Sequence, residues 1–187
     1  MMAKPRLLDL FCGAGGAAMG YHRAGFEVVG VDINPQPNYP FEFVRADALL
    51  HPLAGFDVIH ASPPCQKFTA LRTAWNAKQH GDLISPMRQR LLTAPCQLWI
   101  IENVPGSPLI NPVMLCGTMF GLGVEVYAEW HDLWRHRLFE SNALLIPPDV
   151  CHHSGATIGV YGDHVRDRRR RTGVRDRGID FPDCDRR

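Results

Sequence analysis

Residues 7–16 read LLDLFCGAGG and decide the predicted fold class of this 187-residue chain. Leu7 to Phe11 is a short apolar run, which is typical of a buried strand, and glycines follow it at once. The segment 17–24 is compatible with a helix that Gly25 ends as a C-terminal cap. A strand, a glycine-rich turn and a helix in this order open nucleotide-cofactor sites, because glycine lets the backbone approach a ligand closely.

Further strands are predicted along the chain, at 27–31, 41–44, 56–60, 98–101, 124–128 and 135–141. A polar stretch from 67 to 94 separates two of them and is predicted to contain a helix that begins near Ser85 and Pro86. This order predicts an α/β fold with a doubly wound, mostly parallel sheet. We expect a catalytic and cofactor-binding domain over 1–148 and a short, arginine-rich extension over 149–187.

Acidic residues follow three of the predicted strands. Asp32 and Asp47 end the second and third strands, and Glu102 ends the fifth. Asp32 lies roughly 20 residues after the first glycine of the turn, where an acid can bind ribose hydroxyls. A solvated cap is the alternative for Asp32. Gly13, Gly15 and Ala18 also fit the G-x-G-x-x-A pattern of dinucleotide binders, which is weak evidence by itself.

Residues 61–66 read ASPPCQ and follow the predicted fourth strand. Two prolines end that strand and stiffen the chain, so Cys65 lies at the edge where open α/β sheets place their ligands. A thiol held there suits a nucleophile, although an isolated cysteine is often a small buried hydrophobe.

The bulk composition is that of an ordinary globular protein, with 45% hydrophobic residues and a net charge of +1. No apolar run approaches the ~20 residues of a membrane span, and the N-terminus lacks a secretory signal, which together predict a cytoplasmic protein. The six cysteines form no C-x-x-C pair. The segment 151–153 reads CHH, but no second half of a metal site is evident, and no metal is expected.

These motifs together resemble the DNA (cytosine-5) methyltransferases. The similarity runs over roughly residues 6–141 and covers DLFCGAGG from Asp9, PCQ from Pro64, ENV from Glu102 and RHR from Arg135. The resemblance implies S-adenosylmethionine as cofactor, DNA as substrate, and the Rossmann-like methyltransferase sheet of seven strands, one of them antiparallel. It implies cofactor contacts from Asp9, Phe11, Gly13, Gly15, Asp32, Ile33, Asp47, Ala48 and Pro63.

The resemblance also implies a covalent mechanism. The Cys65 thiolate adds to carbon 6 of a flipped-out cytosine, while Glu102 binds or protonates ring nitrogen 3. Carbon 5 then takes a methyl group and loses its proton. Arg137 is expected at the cytosine carbonyl oxygen, and Arg135 at the turn or adduct. For Glu102, a structural ion pair with one of these arginines is the alternative. DNA contacts are expected from Gln66, Lys67, Arg72 and Asn103.

Several features depart from the family pattern. Leu133 replaces the glutamine that commonly precedes Arg-x-Arg, Ser62-Pro63 replaces a glycine, and too few residues follow Ser141 for a full target-recognition region. Three alternatives follow from these departures: a minimal enzyme, a truncated one, or one that takes its specificity from a partner protein. Three rival functions stay open: a related pyrimidine-modifying enzyme with another donor or substrate, a silent DNA-binding subunit, and a nicotinamide-dependent oxidoreductase.

Overall fold

A computed structural model describes residues 3–64, 81–126, 128–153 and 156–158. Its two α-helices are α1 (Gly16–Arg23) and α2 (Ile84–Leu92), and a short 3-10 helix spans Gly117–Phe120. The strands are β1 (Arg6–Leu10), β2 (Glu27–Asp32), β3 (Glu42–Arg45), β4 (Val58–Ala61), β5 (Leu98–Asn103), β6 (Val113–Leu115), β7 (Gly123–Val126), β8 (Glu129–Leu133), β9 (Arg137–Ser141) and β10 (Ala156–Ile158).

Seven of these strands form one sheet in the order β3-β2-β1-β4-β5-β9-β6. The first five strands in that order pair in parallel, and β9 runs antiparallel to β5. The chain leaves the middle of the sheet through β2 and β3 and returns to its other side through β4 and β5. The predicted doubly wound, mostly parallel sheet is therefore confirmed.

The central strands are buried on both faces because their apolar residues alternate between two clusters. One face carries Leu8, Val29 and Ile59 and packs against Met87 and Leu91 of α2. The opposite face carries Leu7, Val28 and Val58 and packs against Ala18 of α1 and Tyr39. Period-two alternation on neighbouring strands thus gives each helix an apolar surface to cover.

The chain divides into two compact units. The first unit comprises residues 1–114 and 137–146 and holds both α-helices and most of the seven-stranded sheet. The second unit comprises residues 115–136 and 147–187 and contains a three-stranded sheet in the order β10-β8-β7. One division falls next to the expected boundary at 148, whereas the excursion at 115–136 was not predicted. No helix in the described ranges is long and apolar enough to cross a membrane.

Differences from the predicted elements are concentrated after residue 110. The strand expected over 124–128 is observed at Gly123–Val126, and that expected over 135–141 begins only at Arg137. The predictions omitted β6, β8 and β10. These strands have three to five residues and depend on distant partners, so their local sequence carries little signal. The described part of the C-terminal extension includes β10, which pairs with β8.

Candidate cofactor and catalytic site

The carboxyl ends of four parallel strands form the edge on which the predicted site lies. Leu10 of β1 is in register with Val31 of β2 and with Ala61 of β4, and Ala61 is in register with Ile101 of β5. The residues that follow these four are the glycine turn, Asp32, the Ser-Pro-Pro turn and Glu102. Topology thus brings together, on one edge, segments separated by up to 90 residues.

The glycine turn is joined to β2 by Asp32. The backbone N–H of Gly13 donates to Asp32 Oδ2 at 3.2 Å, and the N–H of Asn34 donates to Oδ1 at 2.9 Å. Gly13 and Gly15 have φ angles of +49° and +88°, a region that glycine adopts without strain. A Cβ at Gly13 would have no atom within 4 Å, whereas one at Gly15 would lie 2.8 Å from Pro40 Cδ. Gly13 therefore borders open space beside a carboxylate, as a nucleoside site requires.

An apolar surface and a second carboxylate lie close to Asp32 in the chain. Ile33 is 62% exposed, and its carbonyl accepts a hydrogen bond from Arg45 Nε at 3.2 Å. Asp47 Oδ1 accepts the N–H of Leu49 at 2.8 Å and so shapes the turn after β3. Carboxylates for ribose and amine groups and an exposed aliphatic side chain for a flat base are the chemistry that an adenosine moiety needs.

The predicted cofactor residues Phe11 and Pro63 lie on neighbouring turns that are hydrogen-bonded to each other and to β5. Phe11 adopts a φ of +58°, which is strained for a residue with a side chain. Its carbonyl accepts the Ser62 hydroxyl at 3.2 Å. The carbonyl of Pro63 accepts Asn103 Nδ2 at 2.9 Å, and Asn103 Oδ1 accepts the N–H of Val104. The turn that immediately precedes Cys65 is therefore anchored on both sides.

Glu102 and Arg137 form an ion pair across β5 and β9. Arg137 Nε lies 2.8 Å from Glu102 Oε1, and their side chains are 25% and 23% exposed. The antiparallel register places Glu102 opposite Phe139 and Asn103 opposite Leu138, which brings Arg137 to the same end of β5. The pair agrees with the structural alternative for Glu102, and its partial exposure leaves both side chains within reach of a ligand.

Asp9 lies deeper than the rest of the predicted cofactor residues. Its side chain is fully buried, with Oδ1 3.0 Å from His60 Nδ1 and Oδ2 accepting the Tyr39 hydroxyl at 3.5 Å. Burial and the charge of Asp9 raise the pKa of Tyr39 well above its usual value. Asp9 is thus satisfied by protein groups, and its contact with the cofactor stays a prediction. Ala48 is also buried, at 2% exposure, and its contact with the cofactor stays a prediction.

Cys12 lies in the glycine turn, and its thiol is not activated as a nucleophile. Burial, followed by the charges of Asp9 and Asp32, raises its pKa from 9.0 to about 12. A thiol with this pKa is almost entirely protonated near neutral pH and is a poor nucleophile. Cys12 is therefore a poor candidate for a nucleophile.

A family comparison agrees with this geometry. The sequence model of the family described as C-5 cytosine-specific DNA methylase matches residues 5–108, more than half of the chain. The matched region contains β1 to β5 and every segment of the edge described above except Arg137. This chain belongs to the C-5 cytosine-specific DNA methylase family. The predicted family is thereby confirmed, and its cofactor is S-adenosylmethionine.

Individual relatives of the methylase chain are distant. The Type II methyltransferase M.XorII of Xanthomonas oryzae pv. oryzae (strain KACC10331 / KXO85) is 27% identical over an alignment of 124 residues that covers 56% of this chain and 29% of that protein. This chain thus spans less than a third of the length of that curated relative.

Solved structures with weak similarity include the PH0226 protein of Pyrococcus horikoshii OT3, at 23% identity and a TM-score of 0.39, covering 56% of this chain and 51% of that one. The 1,6-didemethyltoxoflavin-N1-methyltransferase of Burkholderia thailandensis has 17% identity and a TM-score of 0.40, covering 73% of this chain and 54% of that one.

Several predicted site residues of the methylase lie outside the described residues. These are Cys65, Gln66, Lys67 and Arg72. Arg135 is among the described residues, and its side chain is exposed, two residues before Arg137. Asn103, predicted to contact DNA, is 3% exposed and holds the Pro63 carbonyl. Its amide supports the turn, and its contact with DNA stays a prediction.

Arginines that the sequence analysis did not single out support the same region. Arg90 of α2 donates to the carbonyls of Ala48 and His51 at 2.6 and 2.5 Å. Arg88 donates to Glu140 through both Nε and a terminal nitrogen, at 2.6 and 2.8 Å. Arg88 and Arg90 are two residues apart on α2, and this spacing does not indicate a functional motif. The partners named above are 39 to 52 residues away in the sequence. Only the folded chain reveals these roles.

The second unit corrects the expectation that 151–153 lacks the other half of a metal site. Cys151 and His153 lie with Cys116 and His136, and the ligand atoms of all four are within 4.8 Å of one another. The other half of the site, Cys116 and His136, lies far before this segment in the sequence. The pairing of β8 with β10 joins these two parts of the chain. A search for C-x-x-C pairs does not detect ligands spaced in this way.

Proposed function

We propose that this chain is the catalytic part of a DNA (cytosine-5) methyltransferase that works through a covalent Cys65 adduct. The observation that supports this most directly is the 2.9 Å hydrogen bond from Asn103 to the Pro63 carbonyl. It joins the turn before Cys65 to the end of β5, where Glu102 lies. The hydrogen bond therefore connects the turn that precedes the proposed nucleophile in the chain with the strand that carries the group that would activate the pyrimidine.

The first step of the proposed reaction forms a bond between the Cys65 sulfur and carbon 6 of cytosine. Electron density moves onto the ring, and Glu102 stabilises it by a hydrogen bond or proton at nitrogen 3. For this, Arg137 shifts from Glu102 toward the cytosine carbonyl oxygen, a movement that their partial exposure permits.

Carbon 5 is then nucleophilic and forms its new bond to a methyl group, which S-adenosylmethionine supplies when bound. A base, which we take to be water, removes the proton from carbon 5. The electron pair of that C–H bond restores the ring double bond and expels the Cys65 thiolate, while nitrogen 3 returns its proton to Glu102. These steps return Cys65 and Glu102 to their starting states.

The cofactor residues are assigned on the chemistry of the edge. Asp32 would bind the ribose hydroxyls, Ile33 would contact the adenine ring, and Asp47 would accept the adenine amino group. The open backbone at Gly13 and the N-terminal end of α1 would face the amino-acid portion, where a helix terminus favours the carboxylate. DNA would be the substrate, with Lys67 and Arg72 as phosphate contacts.

Trapping on fluorinated DNA tests this function. A pool of mixed-sequence duplexes containing 5-fluorocytosine is incubated with the full chain and S-adenosylmethionine. Fluorine cannot leave carbon 5 as the proton does, so a working enzyme stays covalently attached to the DNA. We expect a denaturation-resistant adduct that requires the cofactor, is absent for Cys65→Ser and persists for Cys96→Ser.

Two results would overturn the proposal. An adduct that Cys65→Ser forms as readily as the unaltered chain would remove Cys65 from the mechanism. No adduct at all, from folded protein that binds the cofactor by calorimetry, would favour a silent DNA-binding subunit or one that depends on a partner.

A further inference from the structure

The second unit contains a cluster of two thiols and two imidazoles outside the site described above. Cys151 Sγ lies 2.8 Å from His153 Nε2 and 3.3 Å from His136 Nε2. The two Nε2 atoms are 3.1 Å apart, and Cys116 Sγ is 3.5 Å from that of His153. Four atoms from three separate segments of the chain thus converge on a single point.

Hydrogen bonds among these groups do not account for the convergence. A neutral imidazole has one N–H, yet Nε2 of His153 faces Cys116, His136 and Cys151 at 3.5, 3.1 and 2.8 Å. One proton cannot satisfy three neighbours, and a proton on both facing nitrogens would place two N–H groups against each other with no acceptor between them. Lone pairs directed at one point favour a cation at that point.

The ligand set selects the type of ion. Two sulfur and two nitrogen ligands in a tetrahedron are typical of Zn²⁺, and bond lengths of about 2.3 Å to sulfur and about 2.0 Å to nitrogen give tetrahedral edges of about 3.3–3.8 Å. The separations of 3.3 and 3.5 Å fall within that range, whereas those of 2.8 and 3.1 Å are shorter and would lengthen when the ion binds. Four protein ligands leave no open position, so the site is structural.

Neighbouring side chains are arranged as a metal site requires. The Trp134 indole stacks on the His153 ring, with centroids 4.2 Å apart and an angle of 24° between the planes. The Thr118 hydroxyl lies 3.8 Å from Cys151 Sγ. Contacts of this kind hold ligating rings and thiolates in one orientation.

The second unit also needs a substitute for a hydrophobic core. Among its described residues, only Cys116 and Gly117 are buried. Large apolar side chains stay exposed: Phe120 at 52%, Leu122 at 49% and Trp130 at 53%. Small units that cannot bury enough apolar surface are commonly stabilised by a structural metal.

We propose that Cys116, His136, Cys151 and His153 bind one Zn²⁺ that holds the second unit together. The ion would connect the residue before the 3-10 helix, the residue before β9 and the segment before β10. This site is separate from the methyl-transfer chemistry and does not depend on it.

Metal analysis of the full chain, purified without chelator or affinity histidines, tests the site. We expect roughly one Zn²⁺ per chain, since a closed four-ligand site holds a single ion. Replacement by Co²⁺ should give the visible absorption of a tetrahedral ion together with thiolate charge-transfer bands. Cys151→Ser should lose the ion, whereas His152→Ala, an exposed neighbour between two ligands, should retain it.

A conservative variant keeps the test decisive if Cys151→Ser does not fold. Cys151→His supplies another zinc ligand, so it should retain the ion while the thiolate charge-transfer intensity falls by about half, because one sulfur ligand of two remains. The proposal is overturned if the unaltered chain binds neither Zn²⁺ nor Co²⁺ in stoichiometric amount. Cobalt spectra of Cys151→Ser that match those of the unaltered chain would have the same consequence.

Discussion

Single side chains at the candidate site shape the backbone as well as facing a ligand. Asp32 fixes the glycine turn and the start of the next loop with its two oxygens, and Asn103 fixes the Pro63 carbonyl. A buried amide that satisfies both its donor and its acceptor is difficult to replace, because either group left unpaired costs free energy. Asn103 therefore supports the turn that precedes Cys65 in the chain.

Substitution of Asn103 by alanine should affect both stability and activity. Loss of its two hydrogen bonds should reduce the free energy of unfolding by about 1–3 kcal/mol. Displacement of the Pro63 turn by even 1 Å should slow methyl transfer to DNA about 100-fold, measured with labelled S-adenosylmethionine. Cofactor affinity should change less than the rate of methyl transfer, because Pro63 is only one of several predicted cofactor contacts.

Asn142 supplies the matched control for this variant. Its side chain also makes two backbone hydrogen bonds, to Trp99 and Gln97, at the opposite end of β5. Asn142→Ala should lower stability without a specific loss of methyl transfer. Equal loss of activity in both variants would mean that Asn103 contributes only to stability.

At the scale of elements, the segment before β3 completes the face of the sheet that α1 leaves uncovered. Tyr39 packs against the glycine turn and over Gly30 of β2, and its ring contacts Phe41 and Phe43. A Cβ at Gly30 would lie 2.2 Å from Tyr39 Cζ, so only glycine gives the ring enough space. The same packing brings the Tyr39 hydroxyl to Asp9.

The packing of Gly30 against Tyr39 predicts energetic coupling between them. Gly30→Ala should destabilise the chain by about 1–3 kcal/mol through overpacking. The loss should be much smaller in a Tyr39→Ala background, where the added methyl group fills part of a cavity. Urea unfolding of the two single variants and the double variant measures this coupling.

Tyr39→Phe provides the control background. It retains the ring carbon that Gly30→Ala would strike and removes only the hydroxyl group. The cost of Gly30→Ala should therefore stay close to its value in the unaltered chain. Additive losses in the Tyr39→Ala background would contradict the packing argument.

At the scale of the whole molecule, the two compact units carry different parts of the proposed chemistry. All the proposed cofactor residues, together with Glu102 and Arg137, belong to the first unit, whereas the four proposed zinc ligands belong to the second. The first unit has two apolar clusters on its sheet, and the second has few buried residues among those described. Their stabilities should therefore respond differently to metal removal.

Removal of the metal from the full chain by a chelator should affect the two units differently. Backbone amides of residues 115–136 should exchange with deuterium faster after metal removal, because metal binding is coupled to folding. Affinity for S-adenosylmethionine, measured by calorimetry, should stay within about twofold, which is about 0.4 kcal/mol. Unchanged exchange in 115–136 would contradict the proposed role of the ion, and a large loss of cofactor affinity would contradict the separation of roles.

The sequence by itself determined the sheet domain and the identity of the candidate site. The apolar runs at β1, β2, β4 and β5 each carry enough local signal to predict a buried strand, and the polar residues after them follow directly in the chain. Parallel strands place their carboxyl ends on one edge, so the strand-end positions of Gly13, Asp32 and Glu102 could be read from the sequence without any knowledge of their contacts.

Only the tertiary structure decided which groups those residues bind. The burial of Asp9 against His60, the support of Pro63 by Asn103 and the pairing of Glu102 with Arg137 join residues between 35 and 51 positions apart. The zinc ligands are spread from Cys116 to His153, on segments whose short strands form only by pairing with one another. Local sequence encodes apolar periodicity and turns, whereas such contacts depend on register and topology, which are properties of the folded chain.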